Sequence, residues 1–331
     1  MEPLLEMLST TAYVSGEKLC ADLGMTRGAV WKRMEKLRAQ GYEITSAGKR
    51  GYRLEPAPNS LLPGYVRREL STRWAGRGEL CYAEELGSTN ARAKELARAG
   101  APHGSLVLCE LQTAGRGRLQ RAWEAARGEA LLQSLVLRPK LPTEQAQLCT
   151  LAAAVAIAGA VEDVCPMLHP GIKWPNDIVL GGKKCVGILS ELSADIDGVE
   201  FVVPGVGVNV NQPTFAGELA EKATSLLLEC RREEPSTPPI CRRALLLAYL
   251  KRMEDAIDAL EREGLTGIMP EYLRRSVTLG ARVRVSGIGL ELIGTAKRID
   301  DTGALIVTDE GGAECRVLSG DVSVRGLMGY V

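Results

Sequence analysis

The chain has two histidines in 331 residues, and His103 and His169 both stand beside proline and glycine in turn-like contexts. Neither has metal-ligand spacing, so no zinc site is expected and no nucleophile–histidine pair stands out. Its nine cysteines are odd in number, scattered, and nowhere spaced Cys-x-x-Cys. That argues against a disulfide framework and for a reducing cytosol. Aromatic residues make up 4% of the chain, and 41 basic residues balance 41 acidic ones, so net charge says nothing about partners. No Gly-Lys-Ser/Thr follows a glycine loop, which excludes a Walker motif. The N-terminus carries Glu2 and Glu6 and no apolar core, so no signal peptide is expected. The most apolar run, Leu148 to Val161, is broken by Cys149 and Thr150. It is too short to span a bilayer and reads as a buried Ala-rich helix, so no membrane partner is expected. There is no internal repeat and no low-complexity tract.

What is present centres on Glu110 to Trp123. Within it, Gly115 to Arg121 packs three arginines and two glycines into seven residues, after the strand-like Ser105 to Cys109. Glycine lets backbone amides approach a ligand, and arginine offers fixed, always-charged donors. The loop is suited to gripping an anion, although a solvated basic loop would read the same way. It is not a dinucleotide fingerprint, because Gln120 stands where the third glycine belongs.

The length predicts two or three domains, and the division expected is 1–58, 59–274 and 275–331. The first reads as a winged helix-turn-helix, with the helix-turn-helix running from about Gly16 to Glu35. Ser15 and Thr26 are N-caps, Gly24 makes the turn, and Val30, Met34 and Leu37 line one helical face. Tyr42 to Ile44 and Tyr52 to Leu54 form a hairpin about Gly48 to Gly51. From Thr26 to Arg53 eight Lys/Arg oppose Glu35 and Glu43. Charge is therefore local where the total is neutral. Thr26, Arg27, Trp31, Lys32, Lys36, Lys49 and Arg50 are the expected DNA-facing residues. A solvated face or a protein-docking module is the alternative.

Pro56, Pro58 and Asn59 mark a linker. Beyond it, Ser88 or Thr89 caps an Ala-rich helix, Ala91 to Ala99, and Gly128 to Pro139 reads as a strand carrying Gln133 and Ser134. Gly181-Gly182 joins two apolar strands, and Pro175 puts Asn176 and Asp177 at a strand entrance or bulge. Lys184 is expected to share a strand face with Val186 and Ile188. A second strand pair turns at Asp197-Gly198 and ends in Gly205 to Asn211, where alternating glycines admit something close to the backbone. Leu246, Leu250, Met253, Ile257 and Leu260 line an amphipathic helix closed by Gly264. Four short strands, Ala281–Ser286, Leu290–Ile299, Ala304–Thr308 and Glu314–Leu318, then predict a small SH3-like β-barrel. The remaining polar set is Arg116, Arg118, Arg121 and Lys184 with Gln112, Asn176 and Asp177. It suits a reaction run by charge stabilisation, such as joining a carboxylate to a nucleotide phosphate.

Five motifs in order carry a resemblance: Ser88-Thr89-Asn90; Gln112 to Arg118; Lys173-Trp174-Pro175-Asn176-Asp177; Lys184 with Gly187-Ile188-Leu189; and Gly205-x-Gly207-x-Asn209. Together they resemble the biotin protein ligases, and the N-terminal module resembles the bifunctional form that also represses the biotin operon. The resemblance implies an α+β multidomain fold: a winged helix-turn-helix, a central mixed β-sheet flanked by helices, and the C-terminal barrel. It implies biotin, ATP and Mg2+, with biotinyl-5′-AMP as intermediate and a lysine of biotin carboxyl carrier protein as acceptor. It also implies a cytoplasmic protein that binds operator DNA and forms a homodimer when the adenylate is bound. By motif position, Ser88, Thr89, Asn90, Gln112, Arg116, Gly117, Arg118 and Lys184 would contact biotin or its adenylate. Lys184 would stabilise charge at the carboxylate–phosphate junction and Arg118 would retain the anhydride. Arg121, Trp123, Asn176, Asp177 and Asn209 would form the nucleotide end. No magnesium ligand is assigned. A biotin-sensing repressor without ligase activity, or a lipoate or other acyl ligase, are the alternatives. One departure stands out. The family loop continues with Arg-Gly where this chain has Leu119-Gln120, so faster loss of the adenylate is expected.

Overall fold

The computed structural model describes residues 3–195, 198–287, 290–319 and 322–326, and its contacts divide the chain into Met1–Leu70 and Ser71–Val331. In the first unit, α1 (Pro3–Met7), α2 (Gly16–Leu23) and α3 (Arg27–Ala39) are followed by a hairpin of β1 (Ile44–Ser46) and β2 (Tyr52–Leu54). The caps are local and follow the sequence. Ser15 accepts from Lys18 N, Thr26 accepts from Ala29 N, and Gly24 takes φ 61° between the helices. Leu4, Leu5, Leu8, Leu19, Val30, Met34 and Leu37 form the core. Tyr42 lies outside the strand the sequence suggested: its buried hydroxyl accepts from Gly64 N at 2.9 Å. That bond helps hold α4 (Pro63–Glu69) on this unit, which therefore continues past the Pro56–Asn59 linker.

The second unit is built on a seven-stranded mixed sheet. Its strands are β3 (Leu80–Leu86), β4 (Ser105–Gln112), β5 (Ala130–Val136), β6 (Gly171–Lys173), β7 (Asp177–Leu180), β8 (Lys183–Asp195) and β9 (Gly198–Asn209). They lie in the order β3-β4-β5-β9-β8-β7-β6; β3 and β4 are parallel and the remaining pairs antiparallel. Of the expected Asp197-Gly198 turn, Asp197 lies outside the described residues. The helices are α5 (Thr89–Arg98), α6 (Leu148–Val164), α7 (Leu219–Lys222), α8 (Leu226–Glu233), α9 (Arg242–Glu263) and α10 (Met269–Arg275). Strand side chains alternate between faces. Ser190 reaches Thr150 of α6 at 2.8 Å, whereas Gly187 and Glu191 look to the other side, where α5 packs on Val107, Phe201 and Val203. Residues Leu148 to Val161 of α6 are all buried within the protein. With the turn before it, the helix segment Thr143–Val164 is apolar and long enough to cross a membrane, but here it is a core helix.

The C-terminal part is a five-stranded antiparallel sheet of the SH3-like kind. It comprises β10 (Arg282–Gly287), β11 (Leu290–Ile299), β12 (Leu305–Asp309), β13 (Glu314–Val317) and β14 (Val322–Gly326), ordered β13-β12-β11-β10-β14. The fifth strand lies beyond the four the sequence marks. Trp174 fastens this sheet to the central one. It is 1% exposed, its backbone N donates to Thr278 Oγ1 at 2.9 Å, and its indole donates to Gly303 O at 3.1 Å. All nine cysteines are free.

Candidate functional site

On the N-terminal unit, α3 and the hairpin display the local charge, but not every cation is available. Arg27 pairs with Glu17 at 2.6 Å, Arg38 with Glu35 at 2.5 Å, and Arg53 with Glu55 at 2.7 Å. Among the described residues Lys32, Lys36, Lys49 and Arg50 have no carboxylate partner. Arg50 instead lies 5.2 Å from the Tyr13 ring centre. Trp31 is 54% exposed on the same helix, and Thr26 serves as the helix cap. An uncompensated cationic face around an exposed helix is the arrangement that meets phosphates.

In the second unit, the start of α5, the end of β4, and the middle of β5, β8 and β9 line an open cleft. Ser88, Thr89, Asn90 and Gln112 line it, as do Arg116, Gly117 and Trp123 from the Gly-Arg loop and Asn176 and Lys184 from the facing strands. The alternating glycines are explained here. A Cβ on Gly205 would stand 1.8 Å from Asn90 Oδ1, and one on Gly207 would stand 2.6 Å from Trp123 Cε2. The backbone's close neighbours are thus two side chains of the protein. Trp123 Nε1 is buried with no hydrogen-bond partner among the described residues.

Lys184 requires a correction. Its side chain does not share the face of Val186 and Ile188. The register of β7 and β8 shifts between the pairs Ile178↔Val186 and Val179↔Lys184, a bulge that turns Lys184 to the Gly187 side. Its Nζ lies 2.6 Å from Asp177 Oδ1 and 5.7 Å from the Trp123 ring centre. Arg118 donates to Asn176 Oδ1 at 3.1 Å and to the Ser319 carbonyl of the C-terminal sheet. Asn176 in turn donates to Ile188 O at 2.8 Å, which fixes it at the strand entrance. Arg116 donates to Gln120 Oε1 at 3.0 Å. Four of the expected residues lie outside the cleft lining: Arg118 and Asp177 bond to the lining residues Asn176 and Lys184, whereas Arg121 and Asn209 stand apart from it. Arg121 is exposed, and its backbone carbonyl accepts from Gly117 N at 2.7 Å. The Asn209 amide donates to Thr224 O at 3.0 Å and accepts from Gln212, bracing the segment whose Thr224 N bonds Lys184 O at 2.9 Å.

Comparison with known proteins gives the family. A model of the biotin/lipoate A/B protein ligase family matches residues 82–209, and an HTH domain model matches residues 2–53. The bifunctional ligase/repressor BirA of Bacillus subtilis is 37% identical over 325 residues, covering 97% of both chains. The chain belongs to the biotin protein ligase family, in its bifunctional ligase/repressor form. The biotin–[acetyl-CoA-carboxylase] ligase of Mycobacterium tuberculosis is 35% identical over 79% of this chain and 96% of that one. The structure of biotin protein ligase from Aquifex aeolicus in complex with biotin and ATP superposes with a TM-score of 0.63 at 26% identity, covering 75% of this chain and 99% of that one.

For a ligase of this family, sequence reasoning left out part of the cleft floor. Ser134 is fully buried beneath Thr89 and Asn90, and its hydroxyl meets Thr89 Oγ1 at 2.8 Å and Asn90 Oδ1 at 2.6 Å. Glu191 and Lys94 lie behind Asn90. The available signal was Gln133-Ser134, a polar pair inside an otherwise apolar strand. The signal for Glu191 is absent, since its partners are remote in sequence.

Proposed function

We propose that this protein activates biotin with ATP to biotinyl-5′-AMP, transfers the biotinyl group to a lysine of biotin carboxyl carrier protein, and represses biotin genes in response to the adenylate. The carrying observation is one cleft that joins an uncharged polar floor, Thr89 and Gln112, to the Lys184–Asp177 and Arg118–Asn176 pairs. An uncharged urea ring suits the floor, and a carboxylate meeting a phosphate suits the cations. Ser88, Thr89, Gln112, Arg116 and Gly117 hold the biotin part, with Asn90 behind them. Lys184, oriented by Asp177, faces the junction where carboxylate oxygen attacks the α-phosphorus and pyrophosphate leaves. There it offsets negative charge that grows in the transition state. Arg118 retains the mixed anhydride until the carrier's lysine amine attacks its carbonyl and AMP departs.

Trp123 packs near the adenine, Asn176 and Asp177 face the phosphates, and Asn209 acts by bracing the strand beside Lys184. Arg121 meets the nucleotide from the solvent side. Among the described residues no group of three or more His, Cys, Asp or Glu is gathered to hold a metal. Mg2+ would come with the nucleotide and would neutralise phosphate charge there, and Asp177, beside Lys184, is the carboxylate that would meet it. The adenylate-bound protein dimerises on operator DNA, and the protein works in the cytoplasm. The test is titration with biotin, labelled ATP and Mg2+, following adenylate and then its transfer to a carrier domain. Absence of adenylate would overturn the reading.

A further inference from the structure

Hydrogen bonds beneath the cleft floor have a fixed direction, and proton counting reveals it. Asn90 Oδ1 carries no hydrogen, so at 2.6 Å the Ser134 hydroxyl must donate to it. That uses Ser134's single proton. The contact of 2.8 Å between Ser134 and Thr89 is then made by the Thr89 proton. The other inward acceptor for Thr89 Oγ1 is Gln112 Oε1 at 3.1 Å, which already takes Thr89 N at 2.8 Å. In either arrangement the Thr89 hydroxyl points its proton inward and offers the cleft only lone pairs. The chain's direction depends on which way Asn90 faces. Its Nδ2 donates to Leu189 O and to Glu191 Oε2, both at 2.9 Å. Glu191 is itself held by Lys94, one turn beyond Asn90 on α5.

We propose that Glu191, anchored by Lys94, is a positioning residue that sets the polarity of the Asn90–Ser134–Thr89 relay and so makes Thr89 an acceptor for a ligand N–H. This rests on the ligase reading, because the ligand N–H is taken to be biotin's. Glu191 lies behind Asn90, and no step of the chemistry passes through it. Its removal takes away the charged one of the two acceptors that hold the Asn90 amide and leaves the Leu189 carbonyl alone to resist its turning. Where the amide turns, Ser134 is released to donate to Thr89, and the Thr89 proton is then turned to the cleft where a ring N–H arrives. Two facing donors repel, and a buried polar group without a partner is expensive.

The experiment measures biotin affinity by calorimetry, and KM for biotin, KM for ATP and kcat by pyrophosphate release, on the full chain. Glu191→Leu is expected to weaken biotin binding and raise its KM about tenfold, with kcat and the KM for ATP within about twofold of wild type. Glu191→Gln, which still offers an oxygen to Asn90, is expected to stay near wild type. The decisive variant is the exchange Lys94→Glu with Glu191→Lys. It keeps an ion pair but places a donor against Asn90, so biotin binding stays weak. Recovery of wild-type affinity in the exchange, an unchanged biotin KM in Glu191→Leu, or equal loss for both substrates would overturn the proposal. Wild-type protein that binds biotin yet releases no pyrophosphate would instead sink the ligase reading, and the calorimetric affinities would still decide the role of Glu191.

Discussion

The two cationic regions of this chain treat charge in opposite ways. On the helix–wing face, Lys32, Lys36 and Lys49 extend into water with no carboxylate partner among the described residues. In the cleft, the cations are already engaged: Lys184 by Asp177, Arg118 by Asn176 and the Ser319 carbonyl, Arg116 by Gln120. A hydrated, uncommitted cation gains affinity for a polyanion through counterion release, which is strong, unspecific and salt-dependent. A cation held by a neighbouring group is already oriented, so charge in a transition state meets it with little reorganisation. The same residue types are thus arranged to suit attraction in one region and chemistry in the other.

The sharpest way to break this contrast is to remove the engaged lysine. Lys184→Ala is expected to lower adenylate formation about a thousandfold while the fold survives, with the melting temperature lowered by a few degrees because Asp177 loses its partner. Labelled adenylate and a thermal melt check both halves, and near-normal adenylation would end the assignment. Next in size is Gly207→Ala. Its Cβ would lie 2.6 Å from Trp123 Cε2, so the indole must leave its seat. Nucleotide affinity is expected to fall about tenfold, or about 1.4 kcal/mol, while DNA binding by the ligand-free protein stays unchanged. On the helix–wing face, Lys32→Ala and Arg50→Ala are each expected to lower the slope of log affinity against log salt by about one. Arg27→Ala should change it less, because Glu17 already holds that guanidinium. Ligation should survive all three substitutions. Equal slopes for Arg27→Ala and Lys32→Ala would show that pairing does not decide which cations meet DNA.

How much of this was visible beforehand follows the reach of each interaction. Caps and turns act over three or four residues, so Ser15, Thr26, Ser88 and the Gly181-Gly182 turn could be placed from sequence. The face of Lys184 could not, because strand parity holds only while the register is regular and the bulge in β8 breaks it. Gly205 and Gly207 announced a close approach but not its partners, since Asn90 and Trp123 arrive from distant segments. Glu191 supports Asn90 from 101 residues away, and Ser319 meets Arg118 across 201. No local pattern encodes such pairs. The family motifs name the residues expected at the ligand and leave out those that hold them.

Leu119 and Gln120 give the smallest expected effect and the finest test of the contrast. Both hold left-handed backbone, φ 55° and 57°, where a non-glycine residue costs about 1–2 kcal/mol. Gln120 offsets part of that with its bond to Arg116. Replacing Gln120 with glycine relieves the strain but loses that bond and gives the open loop more freedom, so the single change should nearly cancel. A cation at 119 has no such opposing term, because Leu119 is 44% exposed and makes room for one at the loop tip. The double change Leu119→Arg with Gln120→Gly is therefore expected to slow adenylate release by about threefold, within the range of under about 1 kcal/mol for an exposed charge. A chase of labelled adenylate measures it. Slowing that vanishes at high salt would place this arginine with the uncommitted cations of the helix–wing face. Slowing that persists would place it with the engaged ones. Release as fast as or faster than wild type would show that Leu119-Gln120 does not weaken retention.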